Sequence, residues 1–333
     1  MDVSAFCRQS NVFIVVGKGG VGKTTTTAAL ARTAALAGLD VLVVSLDESG
    51  GLPTLFSRDA PFVYSDVVLV EGAEPEHSDD PRGSTAGRRP GRIRGRMLTP
   101  DAALLEYLTG HGLGRVARRL VHSGALDVVA TAIPGVREML VLARLKQIER
   151  DRVADLVILD APATGHAVTF LTSSGGLADA ARGGPLRSQA EQVVEMLADP
   201  RRCQVLLVTA PEETPVNEAV ETAYRLEDEV GMSLGPIVVN GCYPVLADLD
   251  ADPAEAARRA GIAPPSAADL QRLAAAASFR AGRQELQRHQ IERLDEELPL
   301  PRIVLPYLFT AGIGASEVDE LAAAMTESIV KLP

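Results

Sequence analysis

Residues Gly17-Lys18-Gly19-Gly20-Val21-Gly22-Lys23-Thr24 decide how this 333-residue chain is read. The apolar, β-branched run Val12-Phe13-Ile14-Val15-Val16 precedes them, and an alanine-rich stretch, Thr24 to Ala37, follows before Gly38. Strand character, glycine loop and helix character in that order make a phosphate-binding loop, with Gly38 as the expected helix cap. Glycines let backbone N–H groups converge on phosphate oxygens, and the helix N-terminus adds its partial positive charge. The expected nucleotide-binding set is Gly17, Lys18, Gly19, Gly20, Val21, Gly22, Lys23, Thr24 and Thr25, with a nucleoside triphosphate as the ligand and the Thr24 hydroxyl on magnesium. The chain has four lysines, Lys18, Lys23, Lys146 and Lys331, against 29 arginines, and two of the four lie in this loop. A compact ammonium fits a tight phosphate cradle that arginine's planar fork does not.

Lys18 sits where an ordinary loop of this kind is variable. It resembles the signature lysine of the deviant Walker A ATPases, a class that closes face to face so that this lysine reaches the partner's nucleotide. The resemblance implies a homodimer, or a heterodimer with a paralogue, and a catalytic part for Lys18 beside Lys23.

Farther along, Leu156-Val157-Ile158-Leu159-Asp160-Ala161-Pro162-Ala163-Thr164-Gly165-His166 is an apolar strand that ends in a carboxylate, followed by a Pro/Gly loop. Asp160 is placed as a second magnesium group, acting directly or through water. The D-x-P-x-T-G-H string resembles switch II of the ArsA/Get family, which includes arsenite-pump ATPases and tail-anchored-protein targeting ATPases. Val43-Val44-Ser45-Leu46-Asp47 ends a strand where that family carries switch I, which makes Asp47 the catalytic candidate for activating water. Here Asp47-Glu48-Ser49-Gly50-Gly51 departs from the family's Asp-Pro-Ala-His-Asn. Ile237-Val238-Val239-Asn240 matches the adenine-reading asparagine, whose amide can donate and accept. Pro306 to Gly312 matches the loop that encloses the base, and Pro134 to Glu138 matches a family segment after the first helical insertion. Together the matches span about residues 11 to 330. An Arg-, Ala- and Gly-rich, Lys-poor composition fits an actinobacterial-like member.

Alternating strand and helix patterns argue one α/β domain over 1–333, a P-loop NTPase with a doubly wound, mostly parallel sheet flanked by helices. Helical insertions are expected at 98–150 and 171–200. Residues 73–97, acidic and then arginine-rich, read as a disordered low-complexity loop. Glu255 to Glu297 reads as an exposed helix or hairpin and not as a site.

A net charge of −11 disfavours unspecific nucleic-acid binding. No long apolar run or secretory leader is seen, so a cytoplasmic location is expected. Cys7, Cys203 and Cys242 are scattered and form no C-x-x-C pair, so neither a disulfide scaffold nor zinc is expected. Where arsenite pumps carry a metalloid cysteine before a Gly-Pro step, this chain reads Arg182-Gly183-Gly184-Pro185, and arginine cannot ligate arsenite. The expected activity is magnesium-dependent ATP hydrolysis in a dimer, coupled to movement of the helical insertions. Two alternatives stand beside it: a weakly hydrolysing nucleotide-binding subunit of a hetero-oligomer, and a carrier of hydrophobic or membrane-protein clients.

Overall fold

Five successive apolar residues, Val12 to Val16, are fully buried because their strand lies in mid-sheet with helices on both faces. The computed structural model describes residues 1–47, 51–72, 90–110, 135–181, 183–263 and 265–333. The strands are β1 (Val12–Gly17), β2 (Val41–Ser45), β3 (Val67–Val70), β4 (Ile93–Met97), β5 (Leu156–Ala163), β6 (Cys203–Thr209), β7 (Ile237–Cys242) and β8 (Arg302–Pro306). Among the described residues they form one sheet in the order β3-β4-β2-β5-β1-β6-β7-β8. All neighbours pair in parallel except β3, which runs antiparallel to β4.

The helices are α1 (Val3–Cys7), α2 (Lys23–Leu36), α3 (Gly51–Thr54), α4 (Pro100–Gly110), α5 (Val136–Arg150), α6 (Thr164–Ala180), α7 (Pro185–Ala198), α8 (Glu213–Val230), α9 (Pro253–Arg259), α10 (Ala267–Glu297) and α11 (Ala315–Val330). Side chains alternate across the sheet. Val12, Ile14, Val16, Val157 and Leu159 point into one core with Leu145 of α5, Phe170 of α6, Met196 of α7 and Leu226 of α8. Phe13, Val15, Leu156 and Ile158 point into the other, against Leu30 of α2 and Leu321 and Met325 of α11. The alanines of α2 leave little bulk, so α11 packs close enough for the Thr33 hydroxyl to donate to the Ala322 carbonyl at 3.2 Å. This is the doubly wound α/β architecture.

The arginine-rich stretch corrects the expectation for residues 73–97. Ile93–Met97 is a strand, paired in parallel from Val41↔Ile93 to Ser45↔Met97. Its period-two pattern was hidden by composition. Ile93 is buried, whereas Arg94 and Arg96 alternate with it and both pair with Asp66, at 2.6 and 2.5 Å. Residues 73–89 lie outside the described residues, as do 111–134 of the first expected insertion.

The rest of that insertion is α4 and α5. The second does not begin at 171, because α6 runs unbroken from Thr164 and lays Phe170 and Leu171 on the sheet. A smaller cluster, with Ala103 of α4, Met139 and Leu140 of α5, Leu177 of α6 and Ala190 of α7, joins these helices to one another. No helix among the described residues is long and apolar enough to cross a membrane.

Candidate nucleotide-binding site

Parallel strands bring the candidate residues to one edge of the sheet. The glycine loop follows β1, Asp47 follows β2, Asp160 lies in β5, Asn240 in β7, and Pro306 ends β8. The sheet order reverses at β1, with β5 on one side and β6 on the other, and the carboxyl ends of strands at such a point leave a ligand crevice.

The loop is shaped by its glycines. At Gly17 a Cβ would lie 2.3 Å from the Val208 carbonyl oxygen of the neighbouring strand. Gly22 has φ +89° at the N-cap of α2, and a Cβ there would meet Asn240 Nδ2 at 2.2 Å. Asn240 donates from that nitrogen to the Val21 carbonyl at 2.8 Å, which ties β7 to the loop. Gly19 and Gly20 are exposed, Val21 is buried, and Thr25 is half-buried in the first turn of α2. The Lys23 ammonium folds back across the loop to the Lys18 carbonyl at 3.2 Å. Burial pushes the Lys23 pKa below its ordinary value, and the charge of Asp160 opposes that fall.

Asp160 is nine-tenths buried, 8 % exposed. Its Oδ2 accepts from the Thr24 hydroxyl at 2.7 Å, and Thr27 Oγ1 lies 3.5 Å from Oδ1. Burial raises the carboxyl above its ordinary value; the Thr24 bond and the Lys23 charge pull it back, and Asp47 adds to the rise. A hydroxyl and a carboxylate side by side are hard oxygen donors and fit Mg²⁺, which takes one or two protein oxygens and completes its shell from phosphate and water. Among the described residues no group of three or more His, Cys, Asp or Glu is placed to hold a metal, and a magnesium shared with a triphosphate needs none.

Asp47 is exposed, and its backbone N–H donates to the buried Ser45 hydroxyl at 3.2 Å. Of the altered residues 48–51 after it, 48–50 lie outside the described residues and Gly51 opens α3. At switch II the expected Pro/Gly loop is not formed. β5 continues past Asp160 to Ala163, which pairs with Gly17, and α6 starts at the next residue.

Sequence reasoning missed several neighbours. Glu218 of α8 takes the Lys18 ammonium on Oε1 at 2.7 Å and the Thr164 hydroxyl on Oε2 at 3.2 Å. It stands 200 residues from Lys18, with no motif to mark it. Beyond Asn240 and Pro306, Tyr243 and Tyr307 stack with centroids 4.7 Å apart, Phe309 tilts against both, and Arg280 of α10 lies 4.5 Å above the Tyr243 ring. A cavity of 530 Å³ beside the loop is lined by Lys18, Gly19 and Gly20 and by Arg283 and Leu286 of α10. The reading of Glu255 to Glu297 as away from any site is therefore corrected: α10 walls the mouth of the loop.

Residues 12–307 match the family model described as the CobQ/CobB/MinD/ParA nucleotide binding domain. The chain is 30% identical over 337 residues to ATPase BagA of Mycobacterium tuberculosis, across 96% of this chain and 93% of the relative. It is also similar to the arsenical pump-driving ATPase of Escherichia coli, 26% identical over 66% of this chain and 33% of the relative. ATPase GET3 of Chaetomium globosum is 28% identical over 47% of this chain and 41% of the relative.

The chain belongs to that nucleotide-binding family, as an ATPase of its ArsA/Get branch.

For an ArsA/Get ATPase the geometry has a plain chemical reading. A cradle closed to any side chain at Gly17 and Gly22 is a shape suited to phosphate oxygens approaching backbone N–H groups, and the Lys23 ammonium would add charge that favours them. The buried carboxylate of Asp160 sits one hydrogen bond from the first hydroxyl of α2, on the side of the loop facing β5.

Proposed function

We propose that this ArsA/Get ATPase is magnesium-dependent and works as a nucleotide-gated dimer. The observation that carries the reading is Glu218, whose two oxygens hold Lys18 and Thr164 together. A signature lysine meant for the partner's nucleotide is thereby linked to the first residue of the switch II helix. When Lys18 leaves Glu218 for a triphosphate across the interface, Glu218 keeps only the Thr164 hydroxyl, the tie between the glycine loop and α6 is broken, and α6 is released to shift.

Within each protomer, Lys23 and the loop N–H groups bind and orient the β- and γ-phosphates. Thr24 and Asp160 would hold Mg²⁺, which when bound neutralises developing charge on the phosphate oxygens. Asp47 accepts a proton from water as the water oxygen attacks the γ-phosphorus. The bond to the β–γ bridging oxygen then breaks, and ADP leaves with the electron pair. Asn240 and the segment after Pro306 face the base. The movement passes through α6 to α5 and α7, which pack with it. A cytoplasmic location is part of the same reading.

Light scattering with steady-state ATPase measurement on one sample, with and without ATP and Mg²⁺, tests it. A dimer that needs both and turns over supports the proposal; turnover by a monomer overturns the gating. Gly50 and Gly51, which stand where the family's switch I carries His and Asn, favour a second reading, a weakly hydrolysing subunit activated by a paralogue. A monomer that binds ATP and turns over only when the paralogue is added selects it.

A further inference from the structure

At the opposite edge of the sheet from the glycine loop, a cavity of 380 Å³ opens between the end of α5, the start of β6 and α7. Four cationic side chains, Lys146, Arg150, Arg152 and Arg202, line it against two carboxylates, Glu149 and Glu195. One of the carboxylates is already engaged, since Glu149 is buried and accepts from Arg202 at 2.7 Å and from Asn11 at 2.8 Å. The other, Glu195, is exposed at the rim. A protein of net charge −11 thus concentrates uncompensated positive charge in one recess.

Lys146 is the group that general packing does not explain. It is 5 % exposed in a chain that uses lysine four times, and its ammonium donates only to neutral acceptors, Gln189 Oε1 at 2.8 Å and Gln192 Oε1 at 2.9 Å. Among the described residues no carboxylate lies within ion-pair distance of it. An ammonium has three protons to donate, and a buried charge without a counter-ion is costly to keep. Burial and the neighbouring Arg150 and Arg202 push its pKa below the ordinary value, and the charge of Glu195 at the rim only partly opposes that fall.

Arginines at a helix C-terminus are attracted by its carbonyls, which accounts for Arg150. Arg152 is different. It occupies a left-handed position, φ +52°, where glycine is usual, and donates to Asn11 Oδ1 at 2.8 Å. The fold accepts that backbone and places a guanidinium on the rim.

We propose that this recess is a second ligand site, for a small polyvalent oxyanion such as phosphate or the phosphoryl group of a phosphorylated molecule. The anion would accept a hydrogen bond from the third N–H of Lys146 and sit between the Arg150 and Arg152 guanidinium groups, as the close counter-ion that Lys146 lacks. The site is separate from the glycine loop, and the proposal does not rest on the ATPase reading.

The test is calorimetric titration of inorganic phosphate into Lys23→Ala, in which the loop's own phosphate site is disabled, and into the same protein carrying Lys146→Met. One binding event is expected, weakened about tenfold or more by Lys146→Met, as loss of a charge-assisted hydrogen bond implies. Lys146→Met is also expected to raise the melting temperature in anion-free buffer, because it removes a buried unpaired charge. Arg152→Gln, at an exposed position, checks the result without touching the core and should weaken binding severalfold.

Phosphate affinity unchanged by Lys146→Met overturns the proposal. So does the absence of phosphate binding to Lys23→Ala, and a lowered melting temperature in Lys146→Met would then make the lysine a structural tie between α5 and α7. A sedimentation arm compares phosphatidylcholine vesicles with and without phosphatidic acid. Binding to the acidic vesicles that Lys146→Met removes assigns the phosphoryl group to a lipid, and binding of soluble phosphate alone assigns it to a soluble molecule.

Discussion

Lys18 Nζ and Glu218 Oε1 lie 2.7 Å apart within a single protomer, each side chain about one-third exposed. The lysine expected to serve a neighbouring molecule is thus held at home by an ion pair of moderate strength. A pair exposed to this extent is worth up to about 1 kcal/mol, enough to bias an equilibrium and weak enough to be broken by a triphosphate. Glu218→Gln should let the chain dimerise at up to about fivefold lower ATP concentration, read by light scattering across an ATP titration. An unchanged or higher requirement would show that Glu218 does not restrain Lys18.

Lys23→Ala and Asp47→Asn should separate binding from turnover. Lys23→Ala removes the charge that meets the β- and γ-phosphates, and a fluorescent ATP analogue should no longer bind. Asp47→Asn keeps the cradle and should bind normally while turnover falls about 10²- to 10⁴-fold, the usual worth of a positioned base. Normal hydrolysis by Asp47→Asn would remove Asp47 from the mechanism.

Gly22→Ala should be damaging out of proportion to one methyl group. Its φ of +89° suits glycine, and the added Cβ would collide with the Asn240 amide. A destabilisation of about 1–3 kcal/mol is expected, seen in denaturant titration, with ATP binding lost as the loop shifts.

Asp160→Asn should raise the melting temperature of the nucleotide-free chain at neutral pH. Burial opposes ionisation of this carboxyl, and the amide removes that cost while its oxygen still accepts from Thr24. The same variant should lose magnesium-dependent turnover. A lower melting temperature would mean that the charge on Lys23 outweighs the burial.

The cysteines give a pH prediction. Burial pushes Cys7 and Cys242 up to about 12 from an ordinary 9.0, and raises Cys203 as well. Their folded-state values lie above the unfolded ones. The contribution to stability is therefore complete below pH 9 and is lost as pH rises from there toward 12. A thiol reagent should label none of the three at pH 8 in the native chain and all three after unfolding. Native-state labelling would contradict the burial.

The glycine loop, the central strands and the sequence run to Asp160 were legible because local residue types dictate them. Val12 to Val16 is apolar at every position since both faces of β1 are covered, and the glycines have φ or contact requirements that no other residue meets. β4 was not legible, since an Arg-Ile-Arg-Gly-Arg stretch shows its alternation only once Asp66 supplies the counter-charge. Glu218, Arg280 and Arg283 were hidden for another reason. Their importance comes from helices that fold back over the loop from late in the chain, and no local pattern records where a helix will be laid.

The position of β1 bears on how the molecule comes apart. Its backbone is hydrogen-bonded to β5 on one side and β6 on the other, three strands in from the β8 edge and four from β3. Amide exchange and proteolytic nicking should therefore begin at those margins and reach residues 12–17 last, close to the free energy of global unfolding. The strand that carries the phosphate cradle doubles as the most persistent part of the chain, so a fragment trimmed at its borders would keep the cradle's anchor after much of the sheet had frayed.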